Sequence, residues 1–368
     1  MASTPLEAEI RRRIMLAGPM PVRQFMMLCL THPEHGYYTT RDPLGRSGDF
    51  ITSPEISQVF GELLGLWAAS AWHRMGQPEN VRLVELGPGR GTMMLDALRA
   101  AQVVPAFRAA IVLHLVEISP ALRERQRQTL ATLDVPMLWH ETFDEVPDGP
   151  IIVLANEMLD ALPVNQAVKQ FNNWYERVVE LNSEGNLAFG MANEVIPLFD
   201  QLVPANMRDA PIGAIYEWRA DNLPLAIGRR LVHQGGAALV IDYGHVQSAP
   251  GDTLQAVGSH AFVNPLESPG QVDLTAHVDF QAFAYAAESM GARVQGPVEQ
   301  ATLLRNLGIE KRAATLKAFA PRDKAAEIDG AVKRLLGEGR TEMGKLFKAI
   351  GIASPAMGNL PGFEPEQQ

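Results

Sequence analysis

Short apolar runs recur along the chain, and stretches of helical character separate them. The run from Val81 to Leu86 ends in glycines, as a buried parallel strand does before a tight turn. Further strands are predicted at Ile111–Ile118, Met137–His140, Pro150–Ala155, Ala237–Ile241 and Arg293–Gln300. Strands that alternate with helices are typical of a doubly wound parallel sheet, so the pattern predicts an α/β fold.

A different pattern interrupts this alternation between residues 165 and 235. Antiparallel strands are predicted at Val164–Phe171, Trp174–Leu181 and Leu187–Met191, because turn-forming residues separate these β-prone runs. A helix is predicted at Ile215–His233. We interpret residues 165–235 mostly as an insertion, a cap of helix and strand beside the sheet.

Helices are predicted at both ends of the chain. Pro5–Ala17 and Pro21–Thr31 precede a long segment rich in glycine, proline and aromatic residues. A third helix runs from Ser53 to about Met75, with Ser53 as its N-cap. The C-terminal helices are predicted at Val278–Met290, Leu303–Phe319 and Lys324–Leu336. The predicted division is a helical cover at 1–80, the first half of the sheet at 81–164, the cap at 165–235, and the second half with C-terminal helices at 236–368.

Composition limits the classes of partner. The chain has 32 Lys and Arg against 42 Asp and Glu, a net charge of −10, which argues against a general nucleic-acid binder because phosphate contacts need clustered cations. Cys29 is the only cysteine, so intramolecular disulfides and cysteine metal clusters are excluded, and a core thiol is expected. No stretch approaches the roughly 20 apolar residues of a membrane span. No metal-ligand spacing appears, so no metal is predicted.

Three glycines follow the first strand, and the residues around them indicate which ligand they hold. Gly87, Gly89 and Gly91 let the backbone approach a ligand where the next helix begins. The dinucleotide fingerprint has Gly or Ala where this chain has Thr92. Glu85, two residues before the first glycine, would repel a pyrophosphate and suits a cation. The pattern therefore favours S-adenosylmethionine, which carries an ammonium and a sulfonium, over NAD.

Other polar residues fall where predicted strands end, at the edge where such sheets bind ligands. Glu117, followed by Ile118, ends the second strand and can accept both ribose hydroxyls of a nucleoside. NAD enzymes and S-adenosylmethionine enzymes both use this device, so Glu117 does not choose between them. Thr142 and Phe143 follow the third strand, where an adenine would be covered, and Asp242 ends the strand after the cap.

The segment from Asn156 to Pro163 carries a pair of acids. Glu157 and Asp160 are three residues apart, so both carboxylates can face one pocket. A guanidinium binds carboxylates in bidentate forks, and nearby carboxylates that localise its charge leave the attacking nitrogen more nucleophilic. We interpret Asn156, Glu157 and Asp160 as catalytic residues for a cationic acceptor. The alternative is that Asp160 caps a helix and Glu157 pairs with a structural arginine. His277 is either a general base or a hydrogen-bonded structural histidine.

Several stretches, in order along most of the chain, together resemble one family. They are EHGYY at 34–38, GDFITSPEIS at 48–57, FGE at 60–62, VELGPGRGT, VEISPALRERQ, ANEMLDALP and VDLTAHVDF. The chain resembles the MidA family, the bacterial and mitochondrial proteins related to the arginine methyltransferase that assists respiratory complex I assembly. The resemblance implies a Rossmann-like class I methyltransferase fold, with a seven-stranded, mostly parallel sheet, an N-terminal helical cover and an inserted α+β cap.

The resemblance also implies protein-arginine methylation, with S-adenosylmethionine as cofactor and a subunit of the complex I peripheral arm as substrate. The glycine loop and Glu117 would hold the cofactor, and the segment from Gly48 to Glu55, which includes Thr52 and Ser53, would close over it. Mitochondrial members carry a transit peptide, and this chain has almost nothing before its first helix, so we expect a bacterial cytoplasmic protein. The alternatives are an NAD-dependent oxidoreductase and a non-catalytic assembly factor that retains the fold.

Overall fold

The computed structural model describes residues 4–40, 52–258, 261–339 and 342–364. In chain order, its helices are α1 Pro5–Ala17, α2 Val22–Thr31, α3 Tyr37–Thr40, α4 Ser53–Ile56, α5 Gln58–Arg74, α6 Thr92–Ala100, α7 Pro105–Ala110, α8 Pro120–Leu130, α9 Phe199–Leu202, α10 Asn222–Gln234, α11 Phe280–Ser289, α12 Gln300–Asn306, α13 Ile309–Ala318 and α14 Arg322–Leu336. Its strands are β1 Met20–Pro21, β2 Val81–Leu86, β3 Ile111–Val116, β4 Met137–His140, β5 Ile151–Asn156, β6 Asn165–Gln170, β7 Asn173–Leu181, β8 Leu187–Val195, β9 Ile215–Trp218, β10 Gly236–His245, β11 Gln255–Gly258, β12 Ala261–Val263, β13 Asp273–Thr275, β14 Val278–Asp279, β15 Arg293–Glu299 and β16 Phe347–Ala353.

The chain folds into two compact units that interleave along the sequence. The first unit consists of Met1–Phe50, Asp160–Ala220 and Gln247–Asp279. The second unit consists of Ile51–Leu159, Asp221–Val246 and Phe280–Gln368. The four-part division proposed from the sequence stays a prediction. None of the helices in the described residues is both long enough and apolar enough to span a membrane.

The second unit is built on a sheet whose described strands run in the order β15-β16-β10-β5-β2-β3-β4. Neighbours from β10 to β4 are parallel, and β16 is antiparallel to both β10 and β15. This confirms the predicted mostly parallel sheet, although its described strands number eight, seven along this path and one off it. The chain passes from β2 outward to β4 and then returns to β5 on the other side, so the strand order reverses between β2 and β5. Ligands of such sheets bind at that reversal, outside the carboxyl ends of the strands.

One face of this sheet is covered by α5 and α6. Its inward residues from four central strands join the apolar residues of these helices in one buried core, which includes Leu83, Leu115, Leu154 and Ile241. The two helices approach closely because glycines lie at their contact. A Cβ at Gly65 would lie 2.2 Å from the carbonyl oxygen of Ala97, so a side chain there would force α5 away from α6.

The first unit is organised around an antiparallel sheet. β7 pairs with β6, β8 and β1, and β6 also pairs with β9, which confirms the predicted antiparallel strands. A smaller sheet has the order β12-β11-β13. Cys29 on α2 is fully buried in an apolar cluster of this unit, and burial raises the pKa of its thiol. The expected core thiol is confirmed.

Two predicted helices begin differently in the structure. The first residues of the predicted helix Ile215–His233 form β9, because Tyr216 and Trp218 join an aromatic cluster with Trp174. The helix that was predicted from Ser53 to Met75 is interrupted at Ser57, whose extended backbone (φ −158°) separates α4 from α5. The Ser57 hydroxyl accepts from the Val59 N–H and caps α5. Thr52, rather than Ser53, is the N-cap of α4.

Further differences lie in the C-terminal part. The predicted helix Val278–Met290 begins as strand β14 and becomes helical at Phe280. The predicted helix Leu303–Phe319 is divided at Gly308 into α12 and α13. Gly308 is the N-cap of α13 and has a left-handed backbone with a φ of 85°. Strand β16 was not predicted, because a short apolar run does not by itself distinguish a buried strand from a buried helix. It fills the position between β10 and β15.

Candidate active site

Three buried polar residues lie at the carboxyl ends of adjacent strands. Glu85 pairs in register with Leu115 on β3 and Leu154 on β5. Asn156 comes two residues after Leu154 on β5, and Glu117 comes two residues after Leu115, one residue past the end of β3. The alternation of side chains along a strand places all three on one face of the sheet. They are 2%, 8% and 8% exposed, respectively. The predicted convergence of polar residues on the strand ends therefore holds for these three positions.

The glycine loop passes over these strand ends in a conformation that other residues rarely adopt. Gly87, Gly89 and Gly91 have φ values of 62°, 53° and 81°, in the left-handed region that favours glycine. A Cβ at Gly87 would lie 2.4 Å from Cγ of Met158. The Gly87 N–H donates to the Val116 carbonyl at 3.1 Å, which ties the loop to β3. The loop can therefore approach a ligand with bare backbone, and Gly91 starts α6 beside it.

Glu117 is held by a network that includes a residue the sequence analysis missed. Its Oε1 accepts from the Ser119 N–H at 2.9 Å, and its Oε2 accepts from Gln126 Nε2 at 3.3 Å. Gln126 Nε2 also donates to the Gly89 carbonyl at 2.8 Å, while its Oε1 accepts from Trp139 Nε1 at 2.9 Å. Gln126 thus joins the acid to the glycine loop. Burial raises the pKa of Glu117, and the hydrogen bonds from Ser119 and Gln126 oppose that rise.

The sequence does carry a signal for Gln126. It lies on α8 four residues after Leu122 and four before Leu130, and both leucines are buried. A polar side chain on the apolar stripe of a helix needs a buried partner, because an unpaired amide inside a protein is costly. The position of Gln126 between two buried leucines on one helix face therefore predicts a buried, hydrogen-bonded amide.

Glu85 differs from Glu117 because one of its oxygens is unpaired. Oε2 of Glu85 is buried and has no hydrogen-bond partner within the described part of the chain. Burial, and then the nearby charge of Glu117, raise the pKa of Glu85 to about 8. An unpaired buried carboxylate is costly, and a cation beside it removes that cost. This position therefore fits a positively charged ligand.

The turn after β5 is fixed by its backbone. Glu157 has a φ of 50°, which is unusual for a residue with a side chain. Its N–H donates to the Ile241 carbonyl at 3.0 Å. Asp242, fully buried on β10, accepts at Oδ2 from the N–H groups of Met158 at 3.1 Å and Leu159 at 2.8 Å. Oδ2 of Asp242 therefore stabilises the turn and is not directed at a ligand. The strained backbone at Glu157 makes this residue a candidate for a functional role, because such strain is common at functional sites.

The Glu157 carboxylate accepts hydrogen bonds from two directions. Its Oε1 accepts from the Ser53 N–H at 2.7 Å and from Asn156 Nδ2 at 3.0 Å. Oδ1 of Asn156 is buried and lacks a partner among the described residues. Thr52 caps α4, and Ser53 is fully buried. The described part of the predicted closing segment therefore contacts a predicted catalytic residue, while residues 48–51 lie outside the described ranges.

The remaining cofactor candidates make these contacts. Thr142 is exposed, and its hydroxyl donates to Glu145 at 3.1 Å. The ring of Phe143 is 7% exposed and lies 5.0 Å from the guanidinium carbon of Arg230. Ile118 is 48% exposed beside Glu117. Their contribution to an adenine site stays a prediction.

Asp160 belongs to the first unit, whereas Asn156 and Glu157 belong to the second. It is 6% exposed, and no helix follows it at 161–164, so the alternative of a helix cap is not supported. Its carbonyl accepts from Arg219 at 3.1 Å. Arg219 also donates to the His277 carbonyl at 2.7 Å, and the His277 N–H donates to the Thr253 hydroxyl at 2.8 Å. The joint action of Asp160 with Glu157 stays a prediction, as does a base role for His277.

The described residues fit a charged nucleoside better than a metal ion. Across the described ranges, no group of three or more His, Cys, Asp or Glu side chains is placed to hold a metal ion. The glycine cradle, the acid at Glu117 and the unpaired oxygen at Glu85 fit a nucleoside that carries positive charge. S-adenosylmethionine meets both requirements, so Glu85, the glycine loop and Glu117 are the residues that would hold it.

Comparisons with known proteins agree with S-adenosylmethionine as the cofactor. A family described as S-adenosyl-L-methionine-dependent methyltransferases matches residues 63–298. The protein arginine methyltransferase NDUFAF7 homolog of Drosophila melanogaster, a mitochondrial protein, is 35% identical over 94% of this chain and 84% of its own. The mitochondrial protein arginine methyltransferase NDUFAF7 of Mus musculus is 37% identical over 91% of this chain and 80% of its own.

A solved structure extends the likeness to the fold. A crystal structure from Burkholderia thailandensis, determined with S-adenosyl-homocysteine bound, superposes with a TM-score of 0.83 at 29% identity. The match covers 99% of this chain and 97% of that one. The resemblance seen in the sequence motifs and the expected cofactor are both confirmed. The chain belongs to this family of S-adenosyl-L-methionine-dependent methyltransferases.

Proposed function

We propose that the protein transfers a methyl group from S-adenosylmethionine to an arginine side chain of a protein substrate. The observation that carries this proposal is the Glu157 carboxylate, held by the Ser53 N–H and Asn156 on a strained turn beside the glycine loop. A fixed carboxylate suits a guanidinium, which carboxylates bind through paired hydrogen bonds. Relatives named protein arginine methyltransferases support the same acceptor.

The chemistry required of the chain is modest. Bound S-adenosylmethionine supplies an electrophilic methyl group on its sulfonium. Glu157 accepts hydrogen bonds from the guanidinium and draws its positive charge toward the bonded nitrogens, so the attacking nitrogen keeps more of its lone pair. Asp160 is the second carboxylate proposed for this role, three residues along the chain. The nitrogen–carbon bond forms as the carbon–sulfur bond breaks, which leaves S-adenosylhomocysteine, and the methylated nitrogen loses one proton to water. The step then depends on alignment of the nitrogen with the methyl carbon.

The proposed acceptor is a subunit of the respiratory complex I peripheral arm, with assembly of that complex as the biological role. The relatives that support an arginine acceptor are mitochondrial proteins. For this chain we propose the bacterial cytoplasm. Its single, buried cysteine is compatible with a compartment that keeps thiols reduced.

Incubation with methyl-labelled cofactor tests the proposal. The protein is mixed with recombinant peripheral-arm subunits, and we expect label on arginine in one subunit, located by mass spectrometry. Replacing the labelled arginine by lysine in that subunit removes the label if the site is correct. Tight binding of a subunit without any label would instead favour a non-catalytic assembly factor, and label on another residue type would overturn the arginine assignment.

Cofactor affinity should rise with pH up to about 8. Glu85 holds a proton below its pKa of about 8, and a cationic ligand beside it favours the carboxylate, so binding releases that proton. Each pH unit below 8 then costs at most about tenfold in affinity. Isothermal titration at pH 7 in two buffers with different heats of ionisation measures the proton released, which we expect to approach one.

Glu85→Gln is the control for this titration. The amide cannot release a proton, so the variant should bind S-adenosylmethionine more weakly than the parent at pH 8 and lose the steep pH dependence. S-adenosylhomocysteine has no sulfonium, and its affinity should depend less on pH. Binding to the parent protein without proton release at pH 7 would show that Glu85 does not meet the cationic end of the cofactor.

A further inference from the structure

We propose that the backbone N–H of Ser53 is a positioning group for catalysis, which fixes the Glu157 carboxylate toward the acceptor. This inference rests on the proposed function, because it takes Glu157 as the carboxylate that acts on the acceptor. It gives α4 a role that cofactor binding alone does not require. The segment carrying Thr52 and Ser53 would order a catalytic side chain as well as lie near the cofactor.

The contact itself is short, and its donor is buried. The Ser53 N–H lies 2.7 Å from Oε1 of Glu157, and Ser53 is fully buried. Hydrogen bonds to an ionised group are stronger than those between neutral groups, and low local dielectric strengthens them further. Asn156 Nδ2 donates to the same oxygen at 3.0 Å. Two donors on one oxygen restrict rotation of the carboxylate, and each of them comes from a different segment.

The donor is available because it begins a helix. Ser53 is the first residue of α4, and the N–H groups of a first helical turn have no partner within the helix. Helix α4 is itself anchored at its other end, where the Thr92 hydroxyl donates to Oε1 of Glu55 at 2.5 Å. Thr92 is the first residue of α6, directly after the glycine loop. Helix α4 therefore connects the start of α6 to Glu157.

This connection adds a contact to Glu157 from outside its own turn. Asp242 fixes the backbone of Met158 and Leu159, and the Ser53 N–H and the Asn156 amide donate to Oε1 of Glu157. The strained backbone at Glu157 directs the side chain, and its final rotation is set by the two donors. Loss of the Ser53 N–H would leave the turn intact and the carboxylate less well oriented.

The test removes the N–H of residue 53 and keeps its side chain. Incorporating the α-hydroxy acid analogue of serine at position 53 replaces the N–H by an ester oxygen, which cannot donate to Glu157. Proline is unsuitable here, because its Cδ would take the place of the hydrogen that points at Oε1 of Glu157. Ser53→Ala keeps the N–H and is the matched control. We expect the ester variant to lower kcat about 10- to 100-fold, with the Kd for S-adenosylmethionine changed less than threefold, and S53A to retain nearly full kcat.

A measurement without turnover separates this inference from the proposed function. In urea unfolding, the ester variant should lower the midpoint in the parent protein and much less in a Glu157→Gln background, because the amide oxygen is a weaker acceptor than the carboxylate. Equal midpoint shifts in both backgrounds overturn the proposal.

The activity outcomes are also distinct. A midpoint shift that depends on Glu157, combined with an unchanged kcat in the ester variant, overturns the positioning role, since the hydrogen bond would then serve stability alone. The same midpoint shift combined with a lowered kcat supports the positioning role. If the parent protein labels no arginine at all, the arginine assignment falls, and kcat is then measured on whichever acceptor the labelled cofactor identifies.

Discussion

Glu157→Gln should lower methyl transfer by at least about a hundredfold while the Kd for S-adenosylmethionine changes less than threefold. The substitution keeps the shape of the side chain and an oxygen that can accept from Ser53 and Asn156. It removes the negative charge that attracts the guanidinium. Because that charge acts on the acceptor and not on the cofactor, kcat should fall and cofactor binding should persist.

The matched control is Glu338→Gln, which removes an equal charge from a side chain that is 72% exposed and lies near Lys345. It should leave both parameters unchanged. Asp160→Asn completes the series, because a comparable loss of kcat would support the predicted pair of carboxylates. Equal losses of transfer and of cofactor binding in Glu157→Gln would show that this turn holds the cofactor and not the acceptor.

The sequence predicted those parts of the site that depend on residues close together in the chain. Glu85, Glu117 and Asn156 were found because polar residues interrupt apolar runs at their ends, and the alternation of side chains along a strand places them on one face. The glycine loop was found because three closely spaced glycines follow a strand. Both signals depend on neighbours in the chain, so no tertiary information was needed.

The contacts that were missed involve partners far along the chain. Asp242 holds a turn that lies more than 80 residues earlier, and Ser53 reaches Glu157 through a backbone N–H that no side-chain pattern reveals. The fold shows the same division. Strands β2 to β5 were found from their apolar runs, whereas β9 was taken for helix because its pairing with β6 is a tertiary contact that overrides a helical pattern.

Gly87→Ala should abolish cofactor binding, with an affinity loss of at least about a hundredfold. Two costs combine at this position. The backbone φ of 62° is unfavourable for alanine, and the added Cβ would meet Met158 at 2.4 Å from Cγ and 2.9 Å from Cβ. Cβ and Cγ are the first atoms of the Met158 side chain, and Asp242 holds the Met158 backbone in place. Because Met158 cannot move away, the clash displaces the glycine loop. Isothermal titration with S-adenosylhomocysteine measures the loss.

Gly76→Ala separates the two costs. Gly76 has a φ of 84° in the same unit, and a Cβ there would meet nothing within 4 Å, so it carries backbone strain of about 1–2 kcal/mol without a clash. We expect it to lower stability and to leave cofactor affinity unchanged. The double variant Gly87→Ala with Met158→Ala removes Cγ and should recover part of the lost affinity. If Gly87→Ala binds like Gly76→Ala, the loop tolerates a side chain, and its close approach to the turn that carries Glu157 is not required for holding the cofactor.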